Sequence, residues 1–113
     1  MISHVVLYRF PADIDAATRA GFIHNLQAAS AKTGVVQRFT FGPHVPLPAD
    51  RHATQAMFSM AAIWEFAELA DLHSFSEHPV MGGFVDEWVR ELHIGVAFAN
   101  YTPDAVATTA ADL

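Results

Sequence analysis

The first stretch of the chain alternates in a way that leaves apolar side chains on both of its faces. Residues 2–10 are mostly β-branched or aromatic, and five of their side chains share one face: Ile2, His4, Val6, Tyr8 and Phe10. Val5 and Leu7 fall on the opposite face. Because successive side chains of a strand point to opposite faces, the pattern predicts a strand that is covered on both sides.

A helix and a second strand are predicted next. Pro11 breaks the first strand, and Asp13 or Asp15 can cap a helix. Apolar residues then recur at helical spacing as far as Gly34: Phe22, Ile23, Leu26 and Ala29. Glycine is common just after a helix, so the helix should end there. Residues 35–42 alternate again and predict the second strand.

The second half of the chain shows the same kinds of pattern. Residues 43–54 contain three prolines and several polar residues, which is typical of a loop. Residues 55–66 favour a third strand, although their methionines and alanines would also permit a helix. A short helix is predicted around Leu72, and Pro79 suits the first turn of another helix.

A fourth strand and a tail complete the pattern. Residues 94–101 favour a strand, and residues 102–113 are rich in Ala, Thr and Asp without periodicity, so we expect a loosely ordered tail after a single domain of residues 1–101. The helix that starts at Pro79 is predicted to continue along an apolar stripe formed by Met81, Phe84, Val85, Trp88, Val89 and Leu92.

The order of these elements predicts the fold class. It is β-α-β-β-α(α)-β, the split βαβ order of an α+β, ferredoxin-like sandwich with a four-stranded antiparallel sheet. The helices would cover one face of the sheet only. Since the other face also alternates apolar residues, it needs a cover that one copy of the chain cannot provide. We therefore predict a homodimer in which two sheets pack face to face and form an α+β barrel.

Composition and charge narrow the functional classes. With 113 residues, 52% of them hydrophobic and 16% charged, the chain can bury one core and still leave apolar surface for a partner. The net charge of −6, with no Lys/Arg cluster, argues against a nucleic-acid ligand. No basic leader or long apolar segment is encoded, so we expect no membrane association. The absence of cysteine agrees with a cytoplasmic location.

Histidine is frequent, which raises the question of a metal site. The seven histidines are His4, His24, His44, His52, His73, His78 and His93. No H-x-x-x-H or H-E-x-x-H pair occurs, and no acidic residue stands at a ligand-like interval from two of them. The sequence therefore predicts neither a metal nor another cofactor.

Two segments resemble a known family. Residues 4–10, which read HVVLYRF, look like the opening strand of the stress-responsive dimeric α/β barrel (Dabb) family. Residues 66–79, followed by Phe84, are similar to its most distinctive stretch, in which an aromatic residue, here Phe75, precedes a His-Pro pair by three positions. The likeness spans residues 2–101. It implies a ferredoxin-like subunit, dimerisation through the sheets and a pocket between sheet and helices, but no single reaction.

Some members of that family are polyketide cyclases that close an aromatic ring without a cofactor. The resemblance implies three pocket residues in them: a histidine on the first strand, a tyrosine in the helix before His-Pro, and a histidine two residues after that proline. His4 matches the first, but Phe75 and Met81 stand at the other two positions. Because neither side chain can transfer a proton, we expect no cyclase turnover of linear polyketides.

These observations define a candidate site and two functional hypotheses. His4 and Tyr8 are candidate catalytic residues, with His4 either a general base or a hydrogen-bonded core histidine. Phe75, His78, Met81 and Phe84 are candidate pocket residues, although His78 could instead cap a helix and Phe84 could be ordinary core.

The favoured hypothesis is a homodimer that binds a small apolar or aromatic metabolite between sheet and helices. The alternative is a cofactor-independent enzyme, polyketide cyclase-like or a lyase or isomerase, with His4 as base. A haem-handling protein or cofactor-free monooxygenase of the wider superfamily is a third hypothesis, which only His4 and the fold would support.

Overall fold

The computed structural model describes residues 1–102, 110 and 111 of the chain. Its strands and α-helices, in chain order, are β1 (Ile2–Arg9), α1 (Ala16–Lys32), β2 (Arg38–Pro43), β3 (Met60–Phe66), α2 (Leu69–Glu77), α3 (Pro79–Phe84) and β4 (Gly95–Tyr101). A 3₁₀-helix (Pro48–His52) precedes β3, and a π-helical segment (Val85–Arg90) continues α3. None of the helices among the described residues has both the length and the apolar character needed to cross a membrane.

The four strands form one antiparallel sheet in the order β2-β3-β1-β4. In its register, Val6 of β1 lies opposite Ala62 of β3 on one side and Phe98 of β4 on the other. This confirms the predicted α+β, ferredoxin-like fold with a four-stranded antiparallel sheet. Most of the tail predicted for residues 102–113 lies outside the described residues.

Two strands begin several residues later than predicted. Strand β2 begins at Arg38 rather than at residue 35, because Gly34 adopts a left-handed φ of 74° and the next residues carry the chain from α1 to the sheet edge. Strand β3 begins at Met60 rather than at residue 55. The segment before it is held by a side chain, because Arg9 Nη2 donates a hydrogen bond to the Ala56 carbonyl at 2.8 Å.

Helix ends follow local hydrogen bonding. Of the two predicted caps of α1, Asp15 is the one that accepts the backbone N–H of Thr18, at 2.6 Å. The predicted loop contains the 3₁₀-helix, which is held by Asp50: its carboxylate pairs with His44 at 2.8 Å and accepts the Leu47 N–H at 3.1 Å. Short side-chain contacts of this kind determine where the regular elements stop.

The core lies between the sheet and the helices. Phe22 and Leu26 of α1 and Phe66 of β3 have no exposed surface. The indole Nε1–H of Trp64 donates to Ser30 Oγ at 2.9 Å, and that hydroxyl donates to the Leu26 carbonyl at 2.7 Å. Every polar atom in this buried relay therefore has a partner, and the relay fixes α1 against β3.

The other face of the sheet has no helix over it among the described residues. Val5, Leu7 and Ile63 lie on this face, and all three are only partly buried. Val5 and Ile63 are direct partners in the β1–β3 ladder, and alanines flank them on the neighbouring strand positions: Ala61, Ala97 and Ala99. We call Val5, Leu7, Ile63 and these alanines the open sheet face. It is apolar.

Candidate functional site

A cavity of about 640 Å³ lies between the sheet and the layer formed by α2, α3 and the π-helical segment. Sites for small molecules usually have about 300–1,000 Å³. The cavity is lined by His4, Val6, Tyr8, Trp64, Ser76, Met81, Gly82, Phe84, Val85, Asp86, Val89, Arg90, Val96 and Phe98. Most of these side chains are apolar, and a few polar groups project among them.

The structure brings together part of the residue set that the sequence indicates. His4, Tyr8, Met81 and Phe84 all line this cavity. They converge because β1 presents every second side chain to the helices, while α3 crosses the same face of the sheet.

Phe75 and His78 are not among the residues that line this cavity. Phe75 is 3% exposed and packs against the His4 ring, with ring centroids 6.0 Å apart. His78 Nδ1 accepts the backbone N–H of Val80 at 3.1 Å and so caps α3. The following proline places His78 at the N-terminus of α3, where its side chain acts as the cap.

His4 is held by a residue that the sequence did not indicate. Its Nδ1 hydrogen-bonds the side-chain oxygen of Asn100, which lies directly opposite it in the β1–β4 register. Because an amide oxygen can only accept, Nδ1 donates in this contact, and Nε2 is then the basic nitrogen of a neutral ring. The rings of Trp64, Phe75 and Phe98 surround the imidazole at centroid distances of 5.3 to 6.0 Å.

Tyr8 supplies a second polar group on the same strand face. It is 5% exposed, and burial raises the pKa of its phenol well above the ordinary value. The hydroxyl therefore stays protonated at neutral pH and can donate a hydrogen bond. Residues two apart on a strand are about 7 Å apart, so one molecule could touch both Tyr8 and His4.

A charged pair stands at the rim of the cavity. Arg90 Nη1 lies 3.3 Å from Asp86 Oδ1, one helical turn away, and both side chains are mostly exposed. Exposed pairs of this kind contribute little to stability. Among the lining residues Arg90 and Asp86 are the charged ones, and they lie next to the solvent rather than in the apolar interior.

Several residues that line the cavity were not predicted from the sequence. Val96 and Phe98 belong to β4, whose alternation places them on one face together with Asn100. That alternation was visible, but the pairing of β4 with β1 depends on the topology of the whole sheet. In residues 1–102, 110 and 111, no group of three or more His, Asp or Glu side chains could hold a metal ion.

Comparison with known proteins identifies a family. A family model described as the stress responsive A/B barrel domain matches residues 2–103. The comparison with curated proteins finds no match.

Solved structures show the same fold at low sequence identity. A protein of Arabidopsis thaliana has a TM-score of 0.79 at 17% identity, over 96% of this chain and 100% of its own. The hydroxynitrile lyase of Passiflora edulis has a TM-score of 0.78 at 17% identity, over 95% of this chain and 96% of its own. A dimeric ferredoxin-like protein of unknown function from Thermobifida fusca has a TM-score of 0.69 at 15% identity, over 88% of each chain.

Proposed function

The chain belongs to the stress responsive A/B barrel domain family, and on this premise we propose that it is a homodimeric protein that binds a small apolar or aromatic molecule beside His4. The observation that carries the proposal is the cavity of about 640 Å³, in which apolar walls surround two hydrogen-bonding groups, His4 and Tyr8. A cavity with many apolar contacts and a few oriented polar groups is the usual form of a small-molecule site.

The free energies of apolar burial and of a hydrogen bond indicate which part of the site gives affinity and which gives selectivity. Burying about 150 Å² of aromatic surface contributes about 4 kcal/mol, which alone corresponds to millimolar binding. A hydrogen bond to His4 or Tyr8 adds about 1 kcal/mol, or about fivefold. The walls therefore supply most of the affinity, and His4 selects molecules that carry a polar group on the ring.

Replacing His4 by Ala should remove that selection. We expect the wild-type protein to bind 2-naphthol more tightly than naphthalene, and His4→Ala to weaken 2-naphthol binding about fivefold to tenfold while leaving naphthalene binding within about twofold. Isothermal titration calorimetry with both compounds, together with thermal melts, would measure this.

His24→Ala is the matched control, since His24 is an exposed histidine of α1 that does not line the cavity. It should bind both compounds like the wild type. A large drop in melting temperature of His4→Ala with unchanged binding of 2-naphthol would instead identify His4 as a structural core residue.

The dimeric part of the proposal rests on the open sheet face. Partly exposed Val5, Leu7 and Ile63 form an apolar surface that a second sheet could cover. Similar structures are described as dimeric, among them the protein from Thermobifida fusca and a ferredoxin-like protein from Bacteroides fragilis. Packing of two such faces would build the α+β barrel and leave the cavity on the outer, helical side of each sheet.

A second candidate function is a cofactor-independent lyase or isomerase with His4 as general base. The contact with Asn100 favours it, because this contact orients the imidazole and leaves Nε2 free to accept a proton. The similar fold of a hydroxynitrile lyase suggests one reaction to test. In such a cleavage Nε2 would take the hydroxyl proton as the carbon–carbon bond breaks, cyanide would leave and take up the proton, and an aldehyde would remain.

Release of benzaldehyde from mandelonitrile would test this candidate. If His4 is the base, the wild-type protein should exceed the buffer rate at mildly acidic pH, and His4→Ala should lose about a hundredfold or more of that gain. Asn100→Ala should lose less, since it only orients the ring. A wild-type rate equal to the rate in buffer would rule out this reaction and leave the binding function unaffected.

A further inference from the structure

Gly82 lines the cavity from α3, and it is exposed. Its position inside a continuous helical run is costly, because glycine destabilises a helix interior by about 1 kcal/mol relative to alanine. A glycine in such a place usually has a backbone or packing reason.

Neither reason applies at this position. Gly34 is the glycine with a left-handed φ among the described residues, so the conformation of Gly82 suits any L-residue. A Cβ built on Gly82 meets no heavy atom within 4 Å. Gly21 shows the contrast, since a Cβ there would lie 2.9 Å from the Trp88 ring. A Cβ at Gly82 would therefore lie in open space, and Gly82 is one of the residues that line the cavity.

We propose that Gly82 is a specificity-determining position, whose missing side chain keeps the cavity open to bulky aromatic molecules of two or more rings. This inference rests on the proposed binding function and adds the size class of the ligand. The neighbouring wall residues support it: Met81 is 8% exposed and Phe84 5% exposed, so both side chains are packed in the core. The space over Gly82 is the part of the α3 wall that a side chain would close.

Gly83 provides a matched control. It is the adjacent residue of the same helix, and a Cβ there also meets nothing within 4 Å. However, Gly83 lines a separate groove of about 230 Å³ against α1, which is smaller than usual ligand sites. A substitution at Gly83 therefore has the same effect on helix propensity as one at Gly82, without narrowing the cavity.

The experiment compares phenol, with one ring, and 2-naphthol, with two rings, by calorimetry on four proteins: the wild type, Gly82→Ala, Gly82→Leu and Gly83→Leu. We expect Gly82→Leu to weaken 2-naphthol binding about tenfold or more, because overfilling a packed site is costly, and to change phenol binding less than about threefold. Gly82→Ala should give a smaller loss in the same direction. Gly83→Leu should bind both compounds like the wild type. Thermal melts verify folding, and Gly82→Ala decides the result if Gly82→Leu does not fold.

The four proteins and two compounds distinguish a wrong role for Gly82 from a wrong binding function. If Gly82→Leu, or Gly82→Ala in its place, binds 2-naphthol as the wild type does, Gly82 does not set the size limit, whereas the binding function stands. Equal loss of both compounds, or the same loss in Gly83→Leu, also overturns the role of Gly82. If the wild-type protein binds neither compound, the proposed binding function is wrong, and so is the role of Gly82 in it.

Discussion

Phe22→Ala is expected to lower the free energy of unfolding by about 3–5 kcal/mol, the usual cost of emptying a buried phenylalanine site. Phe22 has no exposed surface, and its ring centroid lies 5.2 Å from those of Tyr8, Phe10 and Phe84. Since small domains are stable by only about 5–15 kcal/mol, this one change removes a large part of the margin. Urea unfolding followed by circular dichroism, at fixed protein concentration, would measure the loss.

Phe98→Ala is the matched control for that prediction. It makes the same chemical change at a residue that is 68% exposed, so it should cost less than about 1 kcal/mol. Because Tyr8 and Phe84 also line the cavity, Phe22→Ala should loosen the cavity wall as well as the core. Equal losses in the two variants would mean that the core is not centred on Phe22.

The fold was predictable because its signals are local. The period-two pattern of residues 2–10 and the helical spacing of Phe22 and Leu26 each need only a few residues to be recognised. The starts of β2 and β3 were predicted too early because a strand's first residue depends on its partners in the sheet. Residues 55–59 look like a strand, but strand β1 ends at Arg9, and the Ala56 carbonyl accepts a hydrogen bond from the Arg9 side chain.

The candidate site was predictable only in part, because only some of its features follow from local sequence. Alternation along β1 placed His4 and Tyr8 on one face, and both line the cavity. Asn100 is ninety-six positions away from His4 and meets it only through the β1–β4 register. His78 was a candidate both for the pocket and for a helix cap, and its side chain caps α3 by accepting the backbone N–H of Val80. Local sequence thus predicts which side chains share a face, and the topology determines which of them meet.

Ile63→Glu is expected to convert the proposed dimer into a folded monomer. Ile63 lies at the middle of the open sheet face, directly opposite Val5 in the β1–β3 ladder. In a symmetric interface each substitution occurs twice, so two carboxylates would be buried without partners. Such burial costs several kcal/mol, and we expect the dimer dissociation constant to rise about a thousandfold or more. Analytical ultracentrifugation over a concentration series would measure the change.

Two comparisons make the result specific to this surface. Gln27→Glu adds the same charge at an exposed position of α1, away from the sheet, and should leave the association unchanged. Because Ile63 is only partly buried within one subunit, the Ile63→Glu monomer should keep the circular dichroism spectrum of the wild type. If Ile63→Glu dimerises as tightly as the wild type, the subunits associate through another surface. If the wild-type chain is itself a monomer at micromolar concentration, the open sheet face has no second copy to cover it, and the barrel arrangement is wrong for this protein.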